Sequence, residues 1–147
     1  MSVHTQPADQ SASVKKKMSV LDFQKYKDEG RKFAYVTAYD YTTASIVDQS
    51  EVEVILVGDS LAMIMLGYDS TTPVTMDDMI HHIRPVVKGA PDSFIVGDMP
   101  FGSYQESPEQ AIRSACASLA SSRAASGSAK QTASRIVPFI RALPCGT

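Results

Sequence analysis

Two stretches of the chain share one pattern, and that pattern limits the folds open to it. Val54-Ile55-Leu56-Val57-Gly58-Asp59-Ser60 and Phe94-Ile95-Val96-Gly97-Asp98-Met99 each run through apolar, largely β-branched residues into Gly-Asp. A short continuous apolar run bounded by turn residues reads as a strand buried on both faces, the kind that fills parallel sheets. The aspartates are 39 positions apart (98 minus 59), about one strand–helix repeat with a generous loop. Helical patterning lies between and after the runs, so the strands point the same way and both aspartates emerge at one C-terminal sheet edge. Ligands of α/β folds bind at that edge. Two carboxylates delivered to one rim suit a hard divalent cation. The plainer reading makes each Gly-Asp a turn or helix cap after a strand; the repetition favours a shared site.

The rest of the chain extends this pattern. Residues 1–17 are polar and include Lys15-Lys16-Lys17, which reads as a disordered leader. Residues 20–30 suggest a short amphipathic helix stopped by Gly30. Residues 33–39 form a first strand ending at Asp40, and Thr42 or Thr43 is expected to cap the helix after it. A second strand spans residues 52–57, and residues 61–74 read as a long loop. Thr75 and Asp78 make an approximate capping box for a helix carrying Met79, Ile80, Ile83, Val86 and Val87, with Pro85 expected to kink or shorten it. His81 and His82 are neighbours on that helix and project about 100° apart, so they cannot chelate one ion together. The third strand, residues 94–96, delivers Asp98. Ser107-Pro108-Glu109-Gln110 opens a helix whose stripe of Ile112, Ala115, Cys116 and Leu119 is expected to be buried.

Three strand–helix units without hairpin signals mean a parallel sheet, either an open doubly wound sheet or the start of a (β/α)8 barrel. No G-x-G-x-x-G follows a strand, which weakens a dinucleotide fold. Carboxylates at successive strand ends favour a barrel rim. Barrels usually need about 250 residues, so the 147-residue chain reads as the front of something longer.

Composition narrows the class further. Hydrophobic residues at 44% and charged residues at 20% describe an ordinary globular protein without a membrane span. Cys116 and Cys145 form no disulfide framework and sit at no zinc-ligand spacing, which fits the cytoplasm. Charge is uneven: all 16 acidic residues precede residue 121, whereas Arg123, Lys130, Arg135 and Arg141 follow with no acid. A basic tail is open to a nucleic-acid or partner role, but it lacks a dense basic cluster. No nucleic acid is therefore expected as a partner.

Several ordered stretches resemble the ketopantoate hydroxymethyltransferase family. They are Thr37-Ala38-Tyr39-Asp40-Tyr41, Val57-Gly58-Asp59-Ser60-Leu61, Gly67-Tyr68-Asp69-Ser70-Thr71, Pro73-Val74-Thr75, residues 79–82, and Asp98-Met99-Pro100-Phe101-Gly102-Ser103-Tyr104. The resemblance runs over residues 18–120. It implies a (β/α)8 TIM barrel, of which this chain would carry about three βα units. It also implies Mg2+ and transfer of a hydroxymethyl group from 5,10-methylenetetrahydrofolate to 3-methyl-2-oxobutanoate, giving ketopantoate for pantothenate synthesis. An α-keto acid can chelate one hard cation, which stabilises the enolate that attacks the folate-borne carbon. By the resemblance, Asp59 and Asp98 match metal-binding aspartates that also serve the substrate, and Ser60 matches a residue that hydrogen-bonds it. Asp40 and His82 fall in matching motifs with no role beyond shaping the site, and a homo-oligomer is implied for the full-length enzyme.

The likeness breaks after Ala120. The family's Lys-x-Glu-Gly-Gly strand is absent, and residues 121–147 read as an aberrant, frameshifted tail in which residues 136–143 faintly resemble the family's next helix. The acid/base glutamate would lie beyond the break, so no catalytic residue is assigned and the chain alone is expected to be a truncated, poorly active form. Two alternatives stand beside this reading. One is a Mg2+-dependent keto-acid barrel of the phosphoenolpyruvate mutase or isocitrate lyase type; the other is a non-enzymatic fragment acting through its basic tail.

Overall fold

The structure, a computed structural model, describes residues 18–126 and 136–139. Four strands, β1 (Tyr35–Thr37), β2 (Val54–Val57), β3 (Phe94–Asp98) and β4 (Ile136–Phe139), form one sheet in the order β1-β2-β3-β4. Every pairing is parallel; Ile55 lies level with Val36 and Ile95, and Ile95 with Ile136. The α/β class and the parallel sheet follow the sequence reading.

Helix α1 (Val20–Asp28) precedes β1. It opens where Ser19 donates to Asp22 from both its amide and its hydroxyl, each at 2.7 Å. Its Phe23 meets Phe33 and Phe94 edge-on, with centroids 5.1 and 4.8 Å apart. The crossovers are α2 (Tyr41–Asp48), α3 (Leu61–Ile64) with α4 (Met76–Gly89), and α5 (Pro108–Ser126). Helices α2, α4 and α5 pack side by side.

Strand alternation divides the core. Ile55, Val57 and Ile95 join Ala44, Met79, Ile83, Val86 and Val87 beneath the helices. Val54 and Phe94 belong to a second cluster on the other side of the sheet, with Met18, Phe23, Tyr26 and Val96. Asp48, at the end of α2, ties the helix layer to the entrance of β3. It accepts from the Ser93 amide at 2.7 Å and hydroxyl at 2.6 Å.

Several expectations change in detail. Asp40, not Thr42 or Thr43, caps α2, accepting the Thr43 amide at 2.9 Å. The stretch read as loop from residue 61 opens with α3, because the Gly58 and Asp59 carbonyls accept the first helical amides. Helix α4 begins at the expected capping box and runs through Pro85 to Gly89. The stripe assigned to α5 is wrong on its outer half: Ile112 is 63% exposed and Cys116 is exposed. The helix instead turns small residues inward. Ser118 and Ser121 are buried, and Ser114 donates to the Ser103 carbonyl at 2.7 Å. Ser118 Oγ lies 3.7 Å from the point a Cβ would occupy on Gly97, an approach that a bulkier face could not make. Residues 136–139, read as part of a helix, form a fourth strand instead, as suits Ile-Val-Pro-Phe. Pro138 is tolerated because β4 borders the sheet among the described strands. The leader expected at residues 1–17, and most of the tail, lie outside the described residues.

Two measurements follow from these contacts. A Cβ on Gly89 would sit 2.5 Å from the Tyr41 carbonyl oxygen and 3.2 Å from Ala44 Cβ, so α2 approaches α4 through the missing side chain. Gly89→Ala is expected to lower stability by about 1–3 kcal/mol despite alanine's better helix propensity, read as a lower urea midpoint. The two carboxylate caps give the second. Hydrogen bonds from Thr43 to Asp40, and from Thr75 to Asp78, hold both carboxyls below the ordinary 3.8. Groups depressed on folding stabilise above their unfolded pKa and lose that contribution as pH falls through the folded one. The Asp40→Asn/Asp78→Asn protein should therefore show a shallower fall of Tm below pH 4 than the parent. The effect is small because both caps face solvent.

Candidate active site at the strand ends

The end of β2 determines the site. After Val57 the chain turns through Gly58, and Asp59 and Ser60 follow before α3 starts. Strand β3 ends on Asp98 itself. The Asp59 amide donates to Asp98 Oδ2 at 3.1 Å, so the two expected aspartates adjoin at one edge of the sheet. Gly58 makes this possible. A Cβ there would lie 3.0 Å from Ser60 Oγ and 3.3 Å from both Asp98 Oδ2 and Leu56 Cδ2. The hydroxyl and the carboxylate converge on space that only glycine leaves open.

Ser60 is held from a third strand end. Its hydroxyl lies 2.7 Å from the hydroxyl of Tyr39, which is 7% exposed just past β1. His82, half-buried on α4, donates from Nδ1 to the Tyr39 carbonyl at 2.7 Å, since a carbonyl can only accept. Alternation from Phe94 and Val96 carries Asp98 to the side of the sheet away from the helices. Tyr35 lies near enough to feel it: burial, then the Asp98 charge, raises the Tyr35 phenol above its usual range.

Sequence reasoning placed Asp59, Ser60 and Asp98 together but missed Tyr39 and Tyr35. Parity along β1 sets Tyr35 on the same side as Thr37, and register sets Thr37 level with Leu56. With the register known, Tyr35 follows; Tyr39 lies past the end of β1 and packs with the helix-side core. Asp40 acts as a helix cap and His82 as a main-chain anchor. His81 is exposed, and its ring meets His82 edge-on with centroids 5.4 Å apart. Among the described residues, no three His, Cys, Asp or Glu side chains form a group able to hold a metal ion. The Asp98 carboxylate and the Ser60 hydroxyl converge beside Gly58, and Asp59 adds an oxygen-bearing side chain from the adjoining turn, so the donors on offer are hard oxygens. That suits Mg2+, which takes few protein carboxylates and keeps several waters.

A cleft of about 750 Å3 lies elsewhere, at the N-terminal ends of the strands between Tyr26, Arg31, Phe33, Glu51, Glu53 and Asp92. Within it Arg31 pairs with Glu53 at 3.7 Å and stacks 4.1 Å over Tyr26. The opposite edge, where Asp98 Oδ2 meets the Asp59 amide and Ser60 Oγ, is the candidate site. No helix among the described residues is long and apolar enough to cross a membrane.

Fold and site define an α/β protein with an acidic, hydroxyl-lined edge at the C-terminal ends of parallel strands. A family model described as ketopantoate hydroxymethyltransferase matches residues 17–144, past the point where the sequence motifs stop. The chain belongs to that family. A 3-methyl-2-oxobutanoate hydroxymethyltransferase of Heliobacterium modesticaldum is 50% identical over 128 residues, covering 87% of this chain and 46% of the relative. Proteins of the same name from Alkaliphilus metalliredigens and Chloroflexus aurantiacus are 55% and 52% identical over 100 and 99 residues. Those matches cover 68% and 67% of this chain, and 36% and 35% of the relatives. The chain thus spans a third to a half of the length of these curated relatives.

Gly58→Ala should separate Asp98 and Ser60 without unfolding the sheet. The expected result is an Asp59 amide that exchanges its hydrogen at least about tenfold faster, with the Ile55 and Ile95 amides unchanged. Unchanged exchange at Asp59 would show that the edge tolerates a methyl group.

Proposed function

We propose that this chain carries the metal- and keto-acid-binding part of a 3-methyl-2-oxobutanoate hydroxymethyltransferase. The observation that carries the reading is the hydrogen bond joining Asp98 to the Asp59 main chain, with Ser60 alongside. It joins the end of β3 to the turn after β2 that carries Asp59 and Ser60, which supports a shared role for the three residues expected to serve Mg2+ and substrate. Asp59 and Asp98 would hold the ion, and Ser60 would hydrogen-bond the keto acid. When bound, Mg2+ acts as a Lewis acid on an α-keto acid and makes its neighbouring C–H more acidic.

The protein's own part is orientation. Asp98 is fixed at the strand end by the Asp59 amide, so one carboxylate needs little reordering on binding. The apolar residues Leu56 and Val96 lie half-buried beside the acidic edge. The one-carbon donor in this proposal is 5,10-methylenetetrahydrofolate, and the acid–base group is assigned to no residue of this chain. The setting proposed is the cytoplasm, with a homo-oligomer as the assembled enzyme.

We further assign the strands to a (β/α)8 barrel. A sheet whose strands follow chain order, with successive crossover helices packed side by side, supports a singly wound barrel over a doubly wound sheet, whose order reverses. The names of the relatives give no support to the phosphoenolpyruvate mutase or isocitrate lyase type.

The test pairs binding with turnover in the protein carrying this sequence. Asp59→Ala and Asp98→Ala should each weaken Mn2+ binding, read by electron paramagnetic resonance. Each should also abolish Mg2+-dependent formation of ketopantoate from 3-methyl-2-oxobutanoate and methylenetetrahydrofolate. Near-normal metal binding or turnover in either variant at low Mg2+ would overturn the assignment.

A further inference from the structure

A serine at a helix N-cap ordinarily turns its hydroxyl onto the first free amides of the helix. Ser60 precedes α3, but there the first helical amides already bond to the carbonyls of Gly58, Asp59 and Ser60, and its side chain makes no capping bond. Its hydroxyl goes instead to Tyr39, 2.7 Å away and 21 residues earlier in the chain. Tyr39 is itself immobilised. The side chain is buried, and the carbonyl of the same residue accepts from His82 Nδ1 at 2.7 Å. Three separate elements, the end of β1, the turn before α3 and the helix α4, therefore act together on one serine hydroxyl. That hydroxyl sits beside the point on which Asp98 Oδ2 also converges.

From these contacts we propose that Tyr39, anchored by His82, is a positioning residue that makes Ser60 a directed hydrogen-bond donor to the carboxylate or keto oxygen of the substrate. The proposal rests on the keto-acid reading above. Its chemistry lies in the direction of one proton. Between two hydroxyls either can donate, but the phenol is the more acidic and so the better donor. When Tyr39 donates to Ser60 Oγ, the serine proton is left to point elsewhere, and an anionic keto acid has only acceptors to offer it. Without the phenol the Ser60 hydroxyl would still donate, but no hydrogen bond from Tyr39 would set its rotamer. The cost of holding it falls on the fold, before substrate arrives.

Tyr39→Phe removes the phenol and keeps the ring that fills the core. KM for 3-methyl-2-oxobutanoate is expected to rise about three- to tenfold, the range of one net hydrogen bond, with a smaller change in kcat and little change in Tm. Ser60→Ala should raise KM at least as much. Because Tyr39 acts through Ser60, the double variant should be no worse than Ser60→Ala alone. His82→Asn, whose amide nitrogen stands near Nδ1, should keep a KM close to that of the parent, whereas His82→Phe should behave like Tyr39→Phe. An unchanged KM in Tyr39→Phe, or losses at Tyr39 and Ser60 that add in full, would overturn the proposal while leaving the functional reading intact. A parent protein that neither binds nor turns over the keto acid would overturn both.

Discussion

The hydrogen bond from the Asp59 amide to Asp98 Oδ2 spans neighbouring strands at the point where each leaves the sheet. It joins two local Gly-Asp turns into a shared edge. The register beneath it sets the geometry: Val57 lies level with Gly97, so the residues after each strand emerge at the same height. A slip of one residue would move Asp98 to the helix side, into space that Gly97 now leaves for Ile83. That helix-side core of Ile55, Val57, Ile95, Met79 and Ile83 therefore holds the edge in register from below. An anionic acceptor meeting a main-chain donor is also among the stronger hydrogen bonds a sheet edge can make.

How much of this could be read from the chain depends on how local each determinant is. The central strands were legible because strands buried on both faces are apolar throughout, and Val54–Val57 and Phe94–Asp98 fall within or beside the expected runs. The start of α4 was legible because Thr75 and Asp78 satisfy each other within four residues. The capping of α2 was less so. Asp40, Thr42 and Thr43 are all acceptable caps, and only the backbone path out of β1 selects the first. The face of α5 failed for a related reason. Hydropathy favours Ile112 and Cys116 for the interior, but the helix lies close to Gly97 and α4, where small serines fit and larger side chains do not.

The site shows the same division. Asp59, Ser60 and Asp98 stand in short motifs and could be named from the sequence. Their supports could not. Tyr39 reaches Ser60 across 21 residues, and His82 reaches Tyr39 across 43. Each of these contacts depends on strand order and on where α4 packs against the sheet. Tyr35 enters only through the parity of β1 and the proximity of Asp98.

The side of the sheet that bears the edge changes character along its length. At the N-terminal ends of the strands Phe23 packs against Phe33 and Phe94, and Val54 is buried beside them. Above them come Leu56 and Val96, and then, within one or two residues, Asp98, Ser60 and the Tyr39 hydroxyl. These oxygen atoms border an apolar strip, and Tyr35, itself half exposed, has its phenol raised by burial first and by Asp98 second. Were a divalent cation to bind at this edge as proposed, the Asp98 carboxylate would meet it already held by the Asp59 amide, and the Ser60 hydroxyl, fixed by Tyr39, would add direction without adding charge.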